Sequence, residues 1–138
     1  VKLLTDFRLR VREIAARRGV RIAKWLGDGA MLVSVEPEPI TEAIVDMEEA
    51  FDDTPLKLRA GIASGPVILF EGDDYIGKAV NMAARLCAAA KPGEVLGTQS
   101  MVSSLMVNTT VTPIGPQFVE GFAEPVDLVR LDSGDREP

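Results

Sequence analysis

The chain has 138 residues, 46% hydrophobic and 5% aromatic, which fits one globular domain with an aliphatic core. A formal net charge of −6, from 15 basic against 21 acidic side chains, opposes binding to a nucleic-acid polyanion, which depends on basic neutralisation of phosphates. The absence of histidine excludes Ser-His and Cys-His nucleophilic sites and any His-ligated metal, leaving carboxylate, lysine and arginine chemistry with hard cations.

Lys2 to Arg18 places Leu3, Leu4, Phe7, Val11, Ile14 and Ala15 on one helical face, with Arg8, Arg10, Arg12, Arg17 and Arg18 elsewhere, and Gly19 ends the helix. Val20 to Val35 reads as strand, tight turn, strand, because Gly27-Asp28-Gly29 between β-prone apolar runs is a hairpin signal. Pro37 and Pro39 read as a loop. Thr41 is then the expected N-cap of a helix carrying Ile44, Val45, Met47, Ala50 and Phe51, ended by Asp52 to Pro55. Two strands, Leu56 to Ile62 and Val67 to Phe70, form a second hairpin around Ala63-Ser64-Gly65-Pro66. A loop from Glu71 to Gly77 leads into a small-residue helix from about Lys78 to Ala90, stopped by Lys91-Pro92-Gly93. Glu94 to Thr98 reads as a strand and Ser100 to Leu105 as a short helix. A final strand pair starts at Phe118 and ends in Pro125 to Leu131, and Asp132 to Pro138 is a polar tail.

This order predicts an α+β sheet covered by helices on one face. The apolar runs fall far short of the ~20 residues of a membrane span, and no signal-type segment opens the chain. Cys87 is the lone cysteine, expected as a small core residue, and without a second thiol a cytoplasmic location is expected. Val1 begins inside the first helix and is not Met, so further sequence is expected upstream.

Two constellations can carry chemistry. Asp28 lies between glycines that let a phosphate or cation approach closely, and a carboxylate is a natural ligand for Mg²⁺ or Mn²⁺, although an ordinary turn aspartate has the same local sequence. Asn81 and Arg85 are four residues apart and so share one helical face, with Lys78 near the same stripe. On an exposed helix such a pair is commonly just solvated.

The stretch Lys24-Trp25-Leu26-Gly27-Asp28-Gly29 resembles the K-x-x-G-D-G hairpin of class III nucleotide cyclases. Asp74 to Arg85, with Gly77, Val80, Asn81 and Ala83 between, looks like that family's D-x-x-G-x-x-V-N-x-A-x-R segment. Leu58 to Val67 is similar to its R-x-G-I-x-x-G-x-V hairpin, and Gly121-Phe122-Ala123-Glu124-Pro125-Val126 to the closing G-F-x-x-P-V strand of bacterial members. In the family's order, the resemblance spans about Leu3 to Leu131.

The resemblance implies a ferredoxin-like or palm-type α+β catalytic domain over residues 1–131, lacking its first strand, and a tail over 132–138. It implies conversion of ATP to 3′,5′-cyclic AMP and pyrophosphate by a homodimer, with two Mg²⁺ or Mn²⁺ ions per site. By that resemblance Asp28 binds metal, Lys24 and Asp74 read adenine, Asn81 orients the ribose and Arg85 stabilises charge on the reacting phosphate. Asp28 of one protomer would face Lys24, Asp74, Asn81 and Arg85 of the other. Adenine N1 accepts a hydrogen bond, suiting Lys24, and its 6-amino group donates, suiting Asp74; guanine presents the reverse pattern. Two features depart from the family. Its second metal carboxylate belongs to an F-x-D strand before the first helix, and Glu120 stands where a lysine usually precedes Gly-Phe to hold the triphosphate. The alternative reading is a cyclase homology domain that dimerises or binds nucleotide with little or no turnover.

Overall fold

The amphipathic N-terminal segment folds as α1, Lys2–Arg18, whose stripe of Phe7, Val11, Ile14 and Ala15 is buried. The computed structural model describes residues 2–55, 57–70 and 74–134, apart from the side chains of residues 68–70 and 74; Leu56, Glu71, Gly72, Asp73 and residues 135–138 of the expected strand, loop and tail lie outside it. After α1, strands β1 (Arg21–Leu26) and β2 (Gly29–Val33) pair antiparallel, with Leu26 opposite Gly29, so Gly27 and Asp28 form a two-residue turn.

Helix α2, Pro37–Ala50, begins four residues before the expected Thr41 cap, with Glu36 at the N-cap and no side-chain capping bond. The loop reading of Pro37 and Pro39 fails because the first-turn N–H groups of a helix have no intrahelical partner, so proline loses nothing there. Thr41 lies fully buried within the helix, its hydroxyl without a hydrogen-bond partner among the described residues.

The second hairpin also differs from expectation. Strand β3 (Ala60–Ile62) runs parallel to β6 (Val95–Thr98), while β4 (Ile68–Phe70) pairs antiparallel with β5 (Asp74–Ile76), inside the expected loop. A three-residue strand is too short to display an alternating pattern. Helix α3, Lys78–Ala89, follows. The helix expected over Ser100 to Leu105 reduces to one 3₁₀ turn, Gln99–Met101. There the Ser103 hydroxyl accepts from the Leu105 N–H at 3.1 Å, a local bond that competes with helix formation.

The closing pair consists of β7 (Thr109–Gln117) and β8 (Val126–Ser133), giving the sheet order β3-β6-β8-β7. Phe118 therefore follows the first strand of the pair instead of opening it. Pro113 and Pro116 hid β7 in the sequence, but β7 is an edge strand, where proline is tolerated, and its register shifts between Pro113 and Gly115. The expected tail is shortened at its start: Asp132 and Ser133 belong to β8, and Ser133 is buried, its hydroxyl donating to Glu49 at 2.8 Å.

Neighbouring residues of β6 point to opposite faces and define the layers. Val95 packs with Val45 of α2, whereas Leu96 packs with Met82 and Leu86 of α3. The α+β sheet is as expected, but the helices are not all on one face: α1 and α2 pack together on one side, and α3 lies on the other. Helix α3 sits directly on β3, where a Cβ at Gly61 would lie 2.2 Å from the Ala83 carbonyl oxygen, so only glycine admits this approach. Met82 and Leu86 form the buried stripe of α3, continued by Ala90 at its C-cap, which leaves Cys87 exposed instead of in the core. Among the described residues, no helix is long and apolar enough to cross a membrane.

A charged network ties α1 to α2 and to the approach of β7. Arg18 donates to Asp46 at 2.8 Å and to Glu42 at 3.4 Å, and Asn108 donates to the other Asp46 oxygen at 2.9 Å. The hydrogen bond to Asp46 raises the Arg18 pKa above its ordinary value against the opposing effect of burial. Arg18→Met should lower unfolding free energy by about 1–3 kcal/mol, the scale of hydrogen bonds to charged groups. Urea unfolding checks this, and an unchanged midpoint would remove the network from the stabilising interactions.

Candidate functional site

Strand alternation turns Trp25 toward α1 and leaves the exposed Lys24 on the opposite face of β1. Trp25 meets Phe7 edge-on, with ring centroids 6.4 Å apart. Arg8 and Arg12, one turn apart on α1, hold their guanidinium carbons 5.2 and 5.3 Å from the Trp25 ring centre, a cation–π geometry. Arg8 also donates from Nη2 to the Gly27 carbonyl at 3.2 Å. The turn carrying Asp28 is thus tied to α1. Sequence reasoning left these arginines off the packed face; their i, i+4 spacing opposite a strand tryptophan was the available signal.

Asp28 is exposed at the hairpin tip. Among the described residues, no group of three His, Cys, Asp or Glu side chains could hold a metal ion. One turn carboxylate does not by itself fit the two Mg²⁺ or Mn²⁺ ions that the resemblance implies.

Strand β1 also approaches the strand that starts at Asp74. Arg21 donates to the Tyr75 hydroxyl at 3.2 Å and lies 6.0 Å over its ring. The Asp74 backbone pairs with Phe70, and its side chain lies outside the described set. Asn81 and Arg85 are exposed one turn apart on α3, on a face next to the stripe packed on the sheet. A groove of about 380 Å³ opens on the side of α3 that carries Lys78, Ala79 and Met82, lined also by Ser64, Ser100 and Phe122; neither Asn81 nor Arg85 lines it. Among the described residues, no hydrogen bond or ion pair joins Asp28 to Asn81 or Arg85. Arg85 instead pairs with Glu120, Nη1 to Oε1 at 3.1 Å. The sequence marked Glu120 only as an acid where a lysine is usual.

No protein-family model matches the chain. An uncharacterised protein of Mycobacterium tuberculosis is 36% identical over 136 residues, 97% of this chain and 35% of that protein. A pH-sensitive adenylate cyclase of the same species is 37% identical over 118 residues, 80% of this chain and 30% of that protein. The chain therefore spans about a third of the length of these curated relatives. A solved adenylate/guanylate cyclase/hydrolase from Silicibacter pomeroyi superposes with a TM-score of 0.76 at 26% identity, covering 88% of this chain and 78% of that one. With its motifs in order on this fold, the chain belongs to the class III adenylate/guanylate cyclase family, as a catalytic-type domain.

Proposed function

We propose that this domain converts ATP to 3′,5′-cyclic AMP and pyrophosphate as a homodimer whose two sites are each shared between protomers. One observation carries the reading. Lys24 lies on β1 and Asp74 at the start of β5, two strands joined by the Arg21–Tyr75 hydrogen bond, and a polar pair, Asn81 and Arg85, follows one turn apart on the next helix.

In this reading the Lys24 ammonium donates to adenine N1 and the Asp74 carboxylate accepts from the 6-amino group. The Asn81 amide holds the ribose so that its 3′-oxygen lies in line with the α-phosphorus. As the 3′-hydroxyl gives up its proton to water, its oxygen bonds to the α-phosphorus and the bond to pyrophosphate breaks; negative charge grows on the phosphoryl oxygens, and the Arg85 guanidinium stabilises it. Asp28 would supply one carboxylate to a divalent cation. ATP as the substrate is consistent with a cytoplasmic site of action.

A second reading, a cyclase homology domain that holds nucleotide with little turnover, is favoured by the lack of a carboxylate cluster among the described residues and by the Arg85–Glu120 pair. One assay on the intact protein separates the two. With ATP and Mn²⁺, the first reading expects cyclic AMP and pyrophosphate in equal amounts. Retention of ATP without either product would replace it by the second.

A further inference from the structure

Glu120 is held in a built turn. Val119 to Phe122 is closed by a hydrogen bond from the Phe122 N–H to the Val119 carbonyl at 3.0 Å. Gly121, third in the turn, has a φ of 89°, which a type II turn requires and glycine adopts without a Cβ clash. Both ends of the turn are fastened to α3. Val119 is buried with Met82 and Leu86, and Phe122 packs against the same cluster. The turn therefore presents Glu120, its second residue, beside the exposed face of α3, where it meets Arg85 at 3.1 Å. Among the described residues, neither side chain has another charged partner.

We propose that Glu120 is an internal counter-ion that masks Arg85, so that a ligand phosphate engages this guanidinium only by displacing the carboxylate. The proposal rests on the reading of Arg85 as the phosphate-binding residue. Carboxylate and phosphate oxygens compete for the same donor fork. The two side chains are 51% and 82% exposed, so water and salt weaken the pair and make Glu120 a displaceable competitor instead of a lock. The packed turn keeps that competitor at hand: once a ligand leaves, the carboxylate returns to the same guanidinium.

The test is equilibrium binding of 3′-deoxy-ATP, which lacks the attacking hydroxyl, to the intact protein as wild type, Glu120→Gln, Arg85→Gln and the double variant. Thermal unfolding of each variant confirms that it is folded. Glu120→Gln should bind about two- to fivefold more tightly at low salt, the scale of an exposed ion pair, with the gain shrinking as salt rises. In the Arg85→Gln background, the same change should have little effect, because nothing remains to unmask. Equal affinity of wild type and Glu120→Gln, with binding lost in Arg85→Gln, would overturn the mask and leave the phosphate-binding role of Arg85 standing. An equal gain in both backgrounds would also overturn the mask, since Glu120 would then repel the ligand directly. Wild-type affinity in Arg85→Gln would also overturn the mask, since the bound phosphate would then not engage this guanidinium, and would leave to Arg85 only a part in the transition state.

Discussion

Neither Asp28→Ala nor Arg85→Ala should form cyclic AMP alone, and an equimolar mixture of the two should recover roughly a quarter of the wild-type rate. Each homodimer of a single variant lacks the same group in both of its sites. A mixed dimer joins the intact Asp28 of one chain to the intact Arg85 of the other, which completes one site and leaves the second doubly defective. Random exchange makes about half the dimers mixed, each with one of its two sites working, hence the quarter. Two structural facts support placing these groups on different chains. Asp28 sits at a hairpin tip tied to α1, Arg85 lies on a helix on the opposite face of the central sheet, and no polar contact joins them among the described residues. Both residues are exposed, so their truncation should leave stability nearly unchanged. Stable mixed dimers with no recovered activity would assign the whole site to one chain.

How much of this was legible in the sequence depended on whether a signal was local. The bounds of α1 followed from a 3.6-residue apolar period over seventeen residues, and the hairpin from a Gly-Asp-Gly turn between apolar runs. The start of α3 followed from the run of small residues after Gly77, and Asn81 and Arg85 share a face by spacing alone. Features set by tertiary context were hidden. Strand β7 carries two prolines that only an edge position tolerates, and β5 is three residues long. The parallel pairing of β3 with β6 joins segments more than thirty residues apart, which the local hairpin signal around Gly65-Pro66 overrode in the reading of the sequence.

The candidate site divides in the same way. Lys24, Asp28, Asp74, Asn81 and Arg85 could each be marked from a short motif. The Arg85–Glu120 pair spans 35 positions and depends on a type II turn docked on α3, so nothing near either residue announced it. Arg8 and Arg12 read only as lying off the apolar face because a cation over an indole ring satisfies neither a hydrophobic nor an ion-pair pattern.

ATP should be strongly preferred over GTP, and the double replacement Lys24→Glu with Asp74→Ser should lower the ATP-to-GTP ratio by about a hundredfold or more. The argument turns on hydrogen-bond polarity at two ring positions. Adenine accepts at N1 and donates from its 6-amino group, whereas guanine donates at N1 and accepts at O6. Lys24 can only donate and an ionised Asp74 can only accept, so guanine would leave two polar groups facing like against like. Each such mismatch in a site closed to water costs about 1–3 kcal/mol, and two together span about two to four decades in the ratio. A glutamate at position 24 accepts from guanine N1–H and a serine at position 74 donates to O6, which reverses both polarities at once. Each single change should move the ratio by a smaller step, because one correct contact and one mismatch then remain for either base. The Arg21–Tyr75 hydrogen bond ties β1 to β5, the strands that carry the two positions. Relative rates or affinities for ATP and GTP, measured on the intact wild type and the three variants, check this. A wild type that takes GTP as readily as ATP would show that Lys24 and Asp74 do not read the base, whatever reaction the domain performs.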